Sequence, residues 1–312
     1  SNMPLYKKDF FGLRGMSADD IRYILGTAET MKYILNQKDK KTPHLQGKSV
    51  IMLFYEQSAR AKLAYELAAQ YLSANVIDMT NTVHSIEKES LQDIGQLMDQ
   101  MGADFIILRH SMAGAPRLLA SCVEASVINA GDGGHAHPSQ TMIDLMTIRQ
   151  RKGRLDHLTI GFCGGDLLHS RVSKSNIWGL TKLGAEVCVS GPPTLMLPAI
   201  ENFGVEVYYD AREAVNNADV ILTTRMRMEK QDKKSLPSLD EYKRLFRIDE
   251  NLLRYAKKDA IVMHPGPIQR GIEISSGVID SKQCIINDQI GNSVAVRMAM
   301  FYILSQVGGA FR

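Results

Sequence analysis

The sequence predicts an α/β protein of two domains, each a mainly parallel sheet with helices on both faces. Short apolar runs that are rich in β-branched residues alternate regularly with longer segments of helical periodicity. This alternation restarts after one long helix near residues 138–151, which indicates a second sheet. The length of 312 residues allows two domains or one large one.

The first run begins with an amphipathic helix over residues 17–36. Ser17-Ala-Asp-Asp20 is a helix-start signal, and apolar side chains recur after it at helical spacing. After this helix, each predicted strand is followed by a segment of helical periodicity. In chain order we predict strand 49–55, helix 59–72, strand 75–79, helix 89–101, strand 104–108, helix 114–121 and strand 126–129.

The second run follows the helix at 138–151. In chain order we predict strand 158–163, helix 172–183, strand 186–190, helix 194–203, strands 205–208, 219–223 and 260–263, and a final helix at about 291–306. The polar stretch 228–238 is predicted to be a long exposed loop. We therefore predict a first domain over residues 1–137, joined by the C-terminal segment 291–312, and a second domain over residues 138–290.

The composition excludes several classes of function. Hydrophobic residues make up 45% of the chain and charged residues 23%, as in ordinary globular proteins. The net charge of +3 is small and unclustered, so we expect neither a nucleic acid nor a membrane surface as partner. The four cysteines form no CxxC pair, which favours reduced thiols. Because no apolar run reaches about 18 residues and no signal peptide is found, we expect a cytoplasmic location.

The turn between the first predicted strand and helix has the chemistry of a phosphate site. Ser58 is placed to cap the helix, whose first turn leaves the backbone N–H groups of Ala59, Arg60 and Ala61 without intrahelical partners. Those donors, the helix dipole and the guanidinium of Arg60 can together hold a phosphate. An ordinary strand-to-helix turn with a capping serine and a solvated arginine explains the same residues, so both interpretations stand at this point.

Polar clusters also follow most of the other predicted strands. In a parallel sheet ligands bind outside the carboxyl ends of the strands, so the clusters are expected to share sheet edges. Arginines outnumber acids in them, which suits phosphate and carboxylate ligands better than a divalent metal. Each arginine taken alone is equally well explained as a solvated surface residue. These arginines are Arg60, Arg109, Arg171, Arg225, Arg227 and Arg270.

Two further patterns are too incomplete to support a metal or a cofactor. Asp132, His135 and His137 carry metal-ligating side chains, but the His-x-His pair lacks a second ligand set at the usual spacing. Residues 161–166 are similar to a dinucleotide fingerprint, yet the third glycine is missing and the next strand ends without the acidic residue that would hold a ribose. We therefore predict neither a metal nor a cofactor.

Taken together, the clusters resemble the aspartate/ornithine carbamoyltransferase family. The similarity runs in order from about residue 7 to 306, and its most specific parts are Arg109-His110, His137-Pro-Ser-Gln140, residues 166–171, Arg225 and His264-Pro-Gly-Pro267. The ornithine branch carries a cysteine-bearing motif where this chain reads His264-Pro-Gly-Pro267, which favours the aspartate branch. The resemblance implies carbamoyl transfer from carbamoyl phosphate to the amine of L-aspartate, in pyrimidine biosynthesis, without metal, cofactor or covalent intermediate.

The resemblance also implies the roles of individual residues. The first domain would bind carbamoyl phosphate and the second the amino acid, in a homotrimer whose sites are completed between subunits; a regulatory subunit is not specified. Arg60, Arg109 and His137 would be catalytic, Arg171 and Arg225 would hold the carboxylates of aspartate, and Pro267 would offer a backbone carbonyl near the attacking amine. The implied substrate-binding set is Ser58, Ala59, Ala61, Lys88, Gln140, Arg171, Arg225, Arg227, Gly266 and Pro267.

The chain departs from the family pattern at several places. The family reads Ser-Thr-Arg-Thr-Arg where this chain reads Ser58-Ala-Arg-Ala-Lys62, so two hydroxyl groups are missing. The loop around Lys88 lacks the family's glycine, and Arg227 stands where the aspartate branch has glutamine. Three functions follow. The first is a transferase for aspartate with a weaker carbamoyl-phosphate site. The second is a transferase for another amine acceptor or for a relative of carbamoyl phosphate, with Arg227 favouring a more anionic acceptor, and the third is a catalytically silent paralogue that acts as a binding or assembly subunit.

Overall fold

The computed structural model describes residues 8–86, 88–132, 138–226 and 238–309. The strands are β1 (Ser49–Phe54), β2 (Asn75–Asp78), β3 (Phe105–His110), β4 (Ser126–Asp132), β5 (Thr159–Cys163), β6 (Glu186–Ser190), β7 (Glu206–Tyr208), β8 (Val220–Leu222) and β9 (Ile261–Met263). The helices are α1 (Ala18–Leu35), α2 (Ala59–Tyr71), α3 (Val83–Ile86), α4 (Leu91–Gln100), α5 (Ala115–Ala120), α6 (Pro138–Lys152), α7 (Arg171–Lys182), α8 (Ala211–Ala214), α9 (Leu239–Phe246), α10 (Glu250–Leu253), α11 (Ser276–Ile279) and α12 (Ile286–Gly309).

The chain divides into two compact units, the first of which comprises Ser1–Met146 and Gly291–Arg312. Its strands lie in the order β2-β1-β3-β4 and all run parallel. Side chains alternate between the two faces of a strand, so β3 has helices to pack against on each side. Ile106 and Leu108 pack with buried side chains of α4 and α5. On the other face Phe105 meets Phe301 of α12, with the ring centroids 5.4 Å apart.

The second unit comprises Thr147–Ile290. Its strands lie in the order β7-β6-β5-β8-β9, and these also run parallel. Ile221 of β8 and Val262 of β9 are fully buried and share one hydrophobic cluster with Tyr242 and Phe246 of α9. The predicted fold class, an α/β protein built on parallel sheets, is therefore confirmed.

The two long helices α6 and α12 contribute residues to both units. The division falls after Met146 inside α6, whereas the sequence prediction started the second domain at residue 138, the first residue of that helix. It falls again after Ile290, near the start of α12. Within the described ranges, none of the helices is both long enough and apolar enough to cross a bilayer.

Some predicted elements were wrong. The helix predicted over residues 194–203 is replaced by two 3-10 turns, Pro193–Leu195 and Ile200–Phe203, because Pro198 between them cannot donate a backbone hydrogen bond. β3 runs to His110, so Arg109 and His110 are its last residues rather than the loop after it. Five helices, α3 and α8 to α11, were not predicted from the sequence; all except α9 span four residues, which is too short to show a helical period.

Candidate active site

Three strand ends meet at the carboxyl edge of the first sheet. β1 pairs with β3 so that Phe54 lies opposite Arg109, and β3 pairs with β4 so that His110 lies opposite Asp132. Because these strands are parallel and adjacent, the turn at Ser58 and the side chain of Arg109 share that edge. The structure thus brings two of the sequence-predicted clusters together.

The turn after β1 presents donors that the helix itself does not use. Ser58 has extended backbone dihedrals (φ −153°, ψ 98°), and its Oγ accepts a hydrogen bond from the N–H of Ala61 at 3.4 Å. The N–H groups of Ala59 and Arg60 precede the first intrahelical hydrogen bond, which Lys62 donates to the carbonyl of Ser58 at 3.0 Å. Arg60 is exposed, and among the described residues it forms no ion pair. This helix start can therefore receive an anion.

Lys62 stands where the family has its second arginine, and its charge is already paired. Its Nζ contacts Oδ2 of Asp78, the last residue of β2, and that hydrogen bond raises the pKa of Lys62. Burial by itself would raise the pKa of Asp78, but hydrogen bonds from Lys62 and Thr80 outweigh it, so the carboxyl pKa is lowered. Arg60 therefore remains the cation of this turn that is available to a ligand.

Arg109 is only partly satisfied by its own surroundings. Its Nη1 donates to the carbonyl of Ala130 at 2.8 Å. Its Nε is buried and has no hydrogen-bond partner among the described residues. An unpaired buried donor costs about 1–3 kcal/mol, so a ligand oxygen that reached this group would recover a substantial energy.

Two aromatic rings support the same edge. Tyr55, the residue after β1, lies against the ring of His110, with the ring centroids 4.7 Å apart. Burial lowers the pKa of His110, while burial and then the charge of Glu89 raise the pKa of Tyr55. The segment that carries Glu89 therefore lies close to this edge. Lys88, its neighbour, is exposed in the turn between α3 and α4.

The structure describes only some of the other residues that were predicted to bind carbamoyl phosphate. Gln140 lies in the first turn of α6, half-buried, and its amide nitrogen donates to Oδ1 of Asp144 at 2.9 Å. His135 and His137 lie outside the described residues, as does Arg227 of the second half. The backbone of Asp132 ends β4.

At the carboxyl edge of the second sheet, two glycines allow close packing. Gly164 and Gly165 follow β5 with left-handed backbones, φ +68° and +72°. A Cβ built on Gly165 would lie 2.6 Å from Cγ2 of Thr224 and 2.9 Å from its carbonyl oxygen. A glycine at this position therefore allows the segment after β8 to approach the segment after β5.

The two arginines predicted to hold carboxylates follow these neighbouring segments. Arg171 is the first residue of α7, directly after the capping residue Ser170. The hydroxyl of Ser170 lies 3.5 Å from that of Thr224, and Arg225 follows Thr224. Burial and then the charge of Arg171 lower the pKa of Lys174, against the charge of Asp166, which raises it, so Lys174 lies close to Arg171. The arrangement suits an anionic ligand with more than one carboxylate.

A buried aspartate orders the turn that leads to Arg171. The side chain of Asp166 is only 3% exposed. Its Oδ1 accepts a hydrogen bond from the N–H of His169 at 3.0 Å, and its Oδ2 lies 2.8 Å from Nδ1 of the same residue. Both oxygens therefore act within the turn, which holds the start of α7 in place.

Buried side chains hold the loops after β9 and β5, and two of them, Glu273 and Tyr242, were not predicted from the sequence. Gly266 has φ +78°, and its N–H donates to Nδ1 of His264 at 2.8 Å. Nε2 of His264 lies 3.1 Å from Oε1 of Glu273. The hydroxyl of Tyr242 accepts a hydrogen bond from the N–H of Gly165 at 2.6 Å. A charged residue between two isoleucines is the signal that could have marked Glu273, whereas no sequence pattern marks Tyr242.

Comparisons with known proteins agree over the whole length. Residues 8–150 match the carbamoyl-P binding domain of aspartate/ornithine carbamoyltransferases, and residues 156–304 match their Asp/Orn binding domain. The chain is 52% identical over 305 residues to the aspartate carbamoyltransferase catalytic subunit of Acetivibrio thermocellus, with 97% of each chain covered.

Solved structures show the same relationship. The catalytic subunit of M. jannaschii aspartate transcarbamoylase is similar with a TM-score of 0.86 and 32% identity, covering 96% of this chain and 98% of that one. Aspartate transcarbamoylase from Trypanosoma cruzi, in complex with carbamoyl phosphate and aspartate, is similar with a TM-score of 0.83 and 26% identity, covering 97% and 98%. This chain therefore belongs to the aspartate/ornithine carbamoyltransferase family.

Proposed function

We propose that this protein transfers the carbamoyl group of carbamoyl phosphate to the amine of L-aspartate, a step of pyrimidine biosynthesis. The observation that carries the proposal is the placement of Arg171 and Arg225 on segments joined by the Ser170–Thr224 contact. Two guanidinium groups suit an amine that bears two carboxylates. The relatives named above support this choice, since they are aspartate carbamoyltransferases and the T. cruzi structure holds both substrates.

Carbamoyl phosphate binds at the carboxyl edge of the first sheet in this proposal. Its phosphate accepts hydrogen bonds from the hydroxyl of Ser58, from the N–H groups of Ala59 and Arg60, and from the guanidinium of Arg60. Gln140 and Lys88 add polar contacts to the same substrate. The unpaired Nε of Arg109 supports its role as a donor to the carbamoyl oxygen, a role that His137 shares.

The reaction needs positioning and oxyanion stabilisation. The neutral amine of aspartate attacks the carbamoyl carbon, a C–N bond forms, and the carbonyl oxygen becomes an oxyanion that Arg109 and His137 stabilise. The oxyanion then re-forms the C=O bond as the C–O bond to phosphate breaks, and the phosphate leaves with that electron pair and takes up the proton that the amine loses. Pro267, after Gly266, accepts a hydrogen bond from the attacking amine through its carbonyl. Arg227 adds charge beside the aspartate carboxylates.

We also propose a homotrimer in the cytoplasm. The trimer is the assembly implied by the family resemblance, and light scattering on the purified protein tests it: a mass of about one chain would contradict it. The cytoplasmic location accords with the four cysteines, all of which are unpaired.

The test is transfer of labelled carbamoyl from carbamoyl phosphate to L-aspartate. L-asparagine is a matched control, since it keeps the amine and loses one carboxylate, and we expect much slower transfer to it. No turnover at millimolar carbamoyl phosphate would overturn the proposal in favour of a silent paralogue. Faster transfer to another amine, L-ornithine included, would assign a different acceptor.

A further inference from the structure

We infer that Glu273 is a positioning residue of the aspartate site, acting through His264 and Gln269 on the loops that carry Pro267 and Arg225. The inference rests on the proposed function for the identity of that site. The side chains of Glu273 and His264 are both fully buried, with 0% exposure. Neither can touch a substrate, so any effect on the reaction is transmitted by the loops that they hold.

The hydrogen bonds assign one tautomer to His264. Its Nδ1 accepts from the backbone N–H of Gly266 at 2.8 Å, so that nitrogen carries no proton. The proton is then on Nε2, which donates to Oε1 of Glu273 at 3.1 Å. Glu273 thus keeps His264 in the form that can hold Gly266, the residue before Pro267.

Gln269 extends the network to the second loop. Its backbone N–H donates to Oε1 of Glu273 at 3.1 Å. Its side-chain amide, oriented with the nitrogen facing two acceptors, donates to Oε2 of Glu273 at 3.0 Å and to the carbonyl of Met226 at 2.8 Å. Met226 directly follows Arg225. One carboxylate therefore ties the loop after β9 to the segment after β8.

The network requires a carboxylate rather than an amide. Glu273 accepts three hydrogen bonds and donates none, which an ionised carboxylate does at both oxygens. A glutamine would place an NH₂ group against another donor and lose at least one of these bonds. The donors come from the loop itself, so the loss would appear as loop displacement rather than as a lost ligand contact.

The test is steady-state kinetics of Glu273→Gln with each substrate varied. We expect the KM for L-aspartate to rise about tenfold while the KM for carbamoyl phosphate stays unchanged, since small misplacement of binding groups is costly. Asp219→Asn is the matched control, because Asp219 is a buried carboxylate of the same unit that lies just before β8, at the amino edge of the sheet. It should lower stability and leave both KM values unchanged. Equal effects of the two variants on both substrates would overturn the inference.

Two further measurements keep the inference testable if Glu273→Gln does not fold. Gln269→Ala removes only the link to Met226 and to Oε2 of Glu273, and we expect about a threefold rise in the KM for L-aspartate alone.

The second measurement is a histidine ¹⁵N spectrum of the unaltered protein, in which the signal of His264 is assigned by its absence in His264→Gln. The spectrum should show an unprotonated Nδ1, and a protonated Nδ1 would overturn the inference. The spectra read the network without turnover, so inactivity toward aspartate would count against the proposed function alone.

Discussion

The turn after β1 and the loops after β5, β8 and β9 present ligand-binding side chains at two sheet edges, but they differ in how they are supported. The turn exposes Arg60, and the side chain of Ser58 makes one long hydrogen bond, of 3.4 Å, to the N–H of Ala61. The loops are joined to each other by buried groups, with Asp166, Tyr242 and Glu273 each accepting hydrogen bonds from loop N–H groups.

The comparison indicates where each site obtains its affinity. A preorganised site loses little conformational entropy when its ligand binds. The ligand contacts of the loops in the second unit can therefore contribute to selectivity. The turn of the first unit is more exposed, and it lacks the two hydroxyls that the family supplies. Substitutions that add contacts should therefore help the turn, and substitutions that disturb packing should harm the loops.

The largest expected effect is a gain in affinity for carbamoyl phosphate at the turn after β1. In the double variant Ala59→Thr, Ala61→Thr, each hydroxyl restores a hydrogen bond to a charged ligand worth about 1.5–3 kcal/mol. The affinity for carbamoyl phosphate should rise by roughly a hundredfold or more. Isothermal titration with carbamoyl phosphate at low temperature measures it.

The matched control for this gain is Ala59→Val, Ala61→Val. Valine has nearly the shape of threonine without the hydroxyl, so a gain that comes from hydrogen bonding is absent from this variant. Equal gains in both double variants would mean that shape or helix propensity, rather than the missing hydroxyls, limits the turn.

The next largest effect is a loss of activity when Arg109 is substituted. Arg109→Ala removes a proposed oxyanion donor, and we expect kcat/KM to fall by about 10²- to 10³-fold. The folded state should change little, because one hydrogen bond to Ala130 contributes only about 1 kcal/mol. Arg14→Ala, at an exposed arginine of the same unit, should leave kcat/KM unaltered. A fall of less than fivefold in Arg109→Ala would remove this arginine from the proposed mechanism.

The residues that bind ligand could be predicted from the sequence, whereas the residues that support them could not. Arg60, Arg109, Arg171 and Arg225 follow or end apolar strands, so strand pattern and the geometry of parallel sheets predict that they share edges. The supporting residues follow no such rule. Glu273 meets His264 only because the loop between them folds back, and a long-range contact of this kind leaves no periodic trace in the sequence.

A substitution that disturbs packing in the loops of the second unit should lower the stability of the protein. Gly165→Ala places a Cβ within 3 Å of Thr224 at φ +72°, so we expect a loss of about 2–3 kcal/mol in the free energy of unfolding. Gly153→Ala is the control, since Gly153 has φ +77° in the same unit with no atom within 4 Å of the added Cβ. It should cost only about 1 kcal/mol, measured by urea unfolding. Equal losses would show that backbone conformation, not the approach of Thr224, requires glycine at 165.

The smallest expected effect is the pH dependence of the ion pair under the turn. The pKa of Asp78 is lowered from 3.8 in the folded protein, so its pairing with Lys62 stabilises the protein above that pH and the stabilisation is lost as pH falls through the folded pKa. Asp78→Asn should therefore lower Tm slightly at pH 7, with the difference from the parent protein closing below about pH 4.

Asp219→Asn, in the second unit, provides the contrast to this last effect. The pKa of Asp219 is also lowered, since hydrogen bonds from Thr159 and Lys257 outweigh the effect of its burial, and its side chain is 9% exposed against 25% for Asp78. The less exposed carboxylate is less screened by solvent, so its substitution should lower Tm more at pH 7, and that difference should close over the same acid range. Equal Tm losses in the two variants would mean that the pair under the exposed turn stabilises the protein as much as the pair of the second unit does.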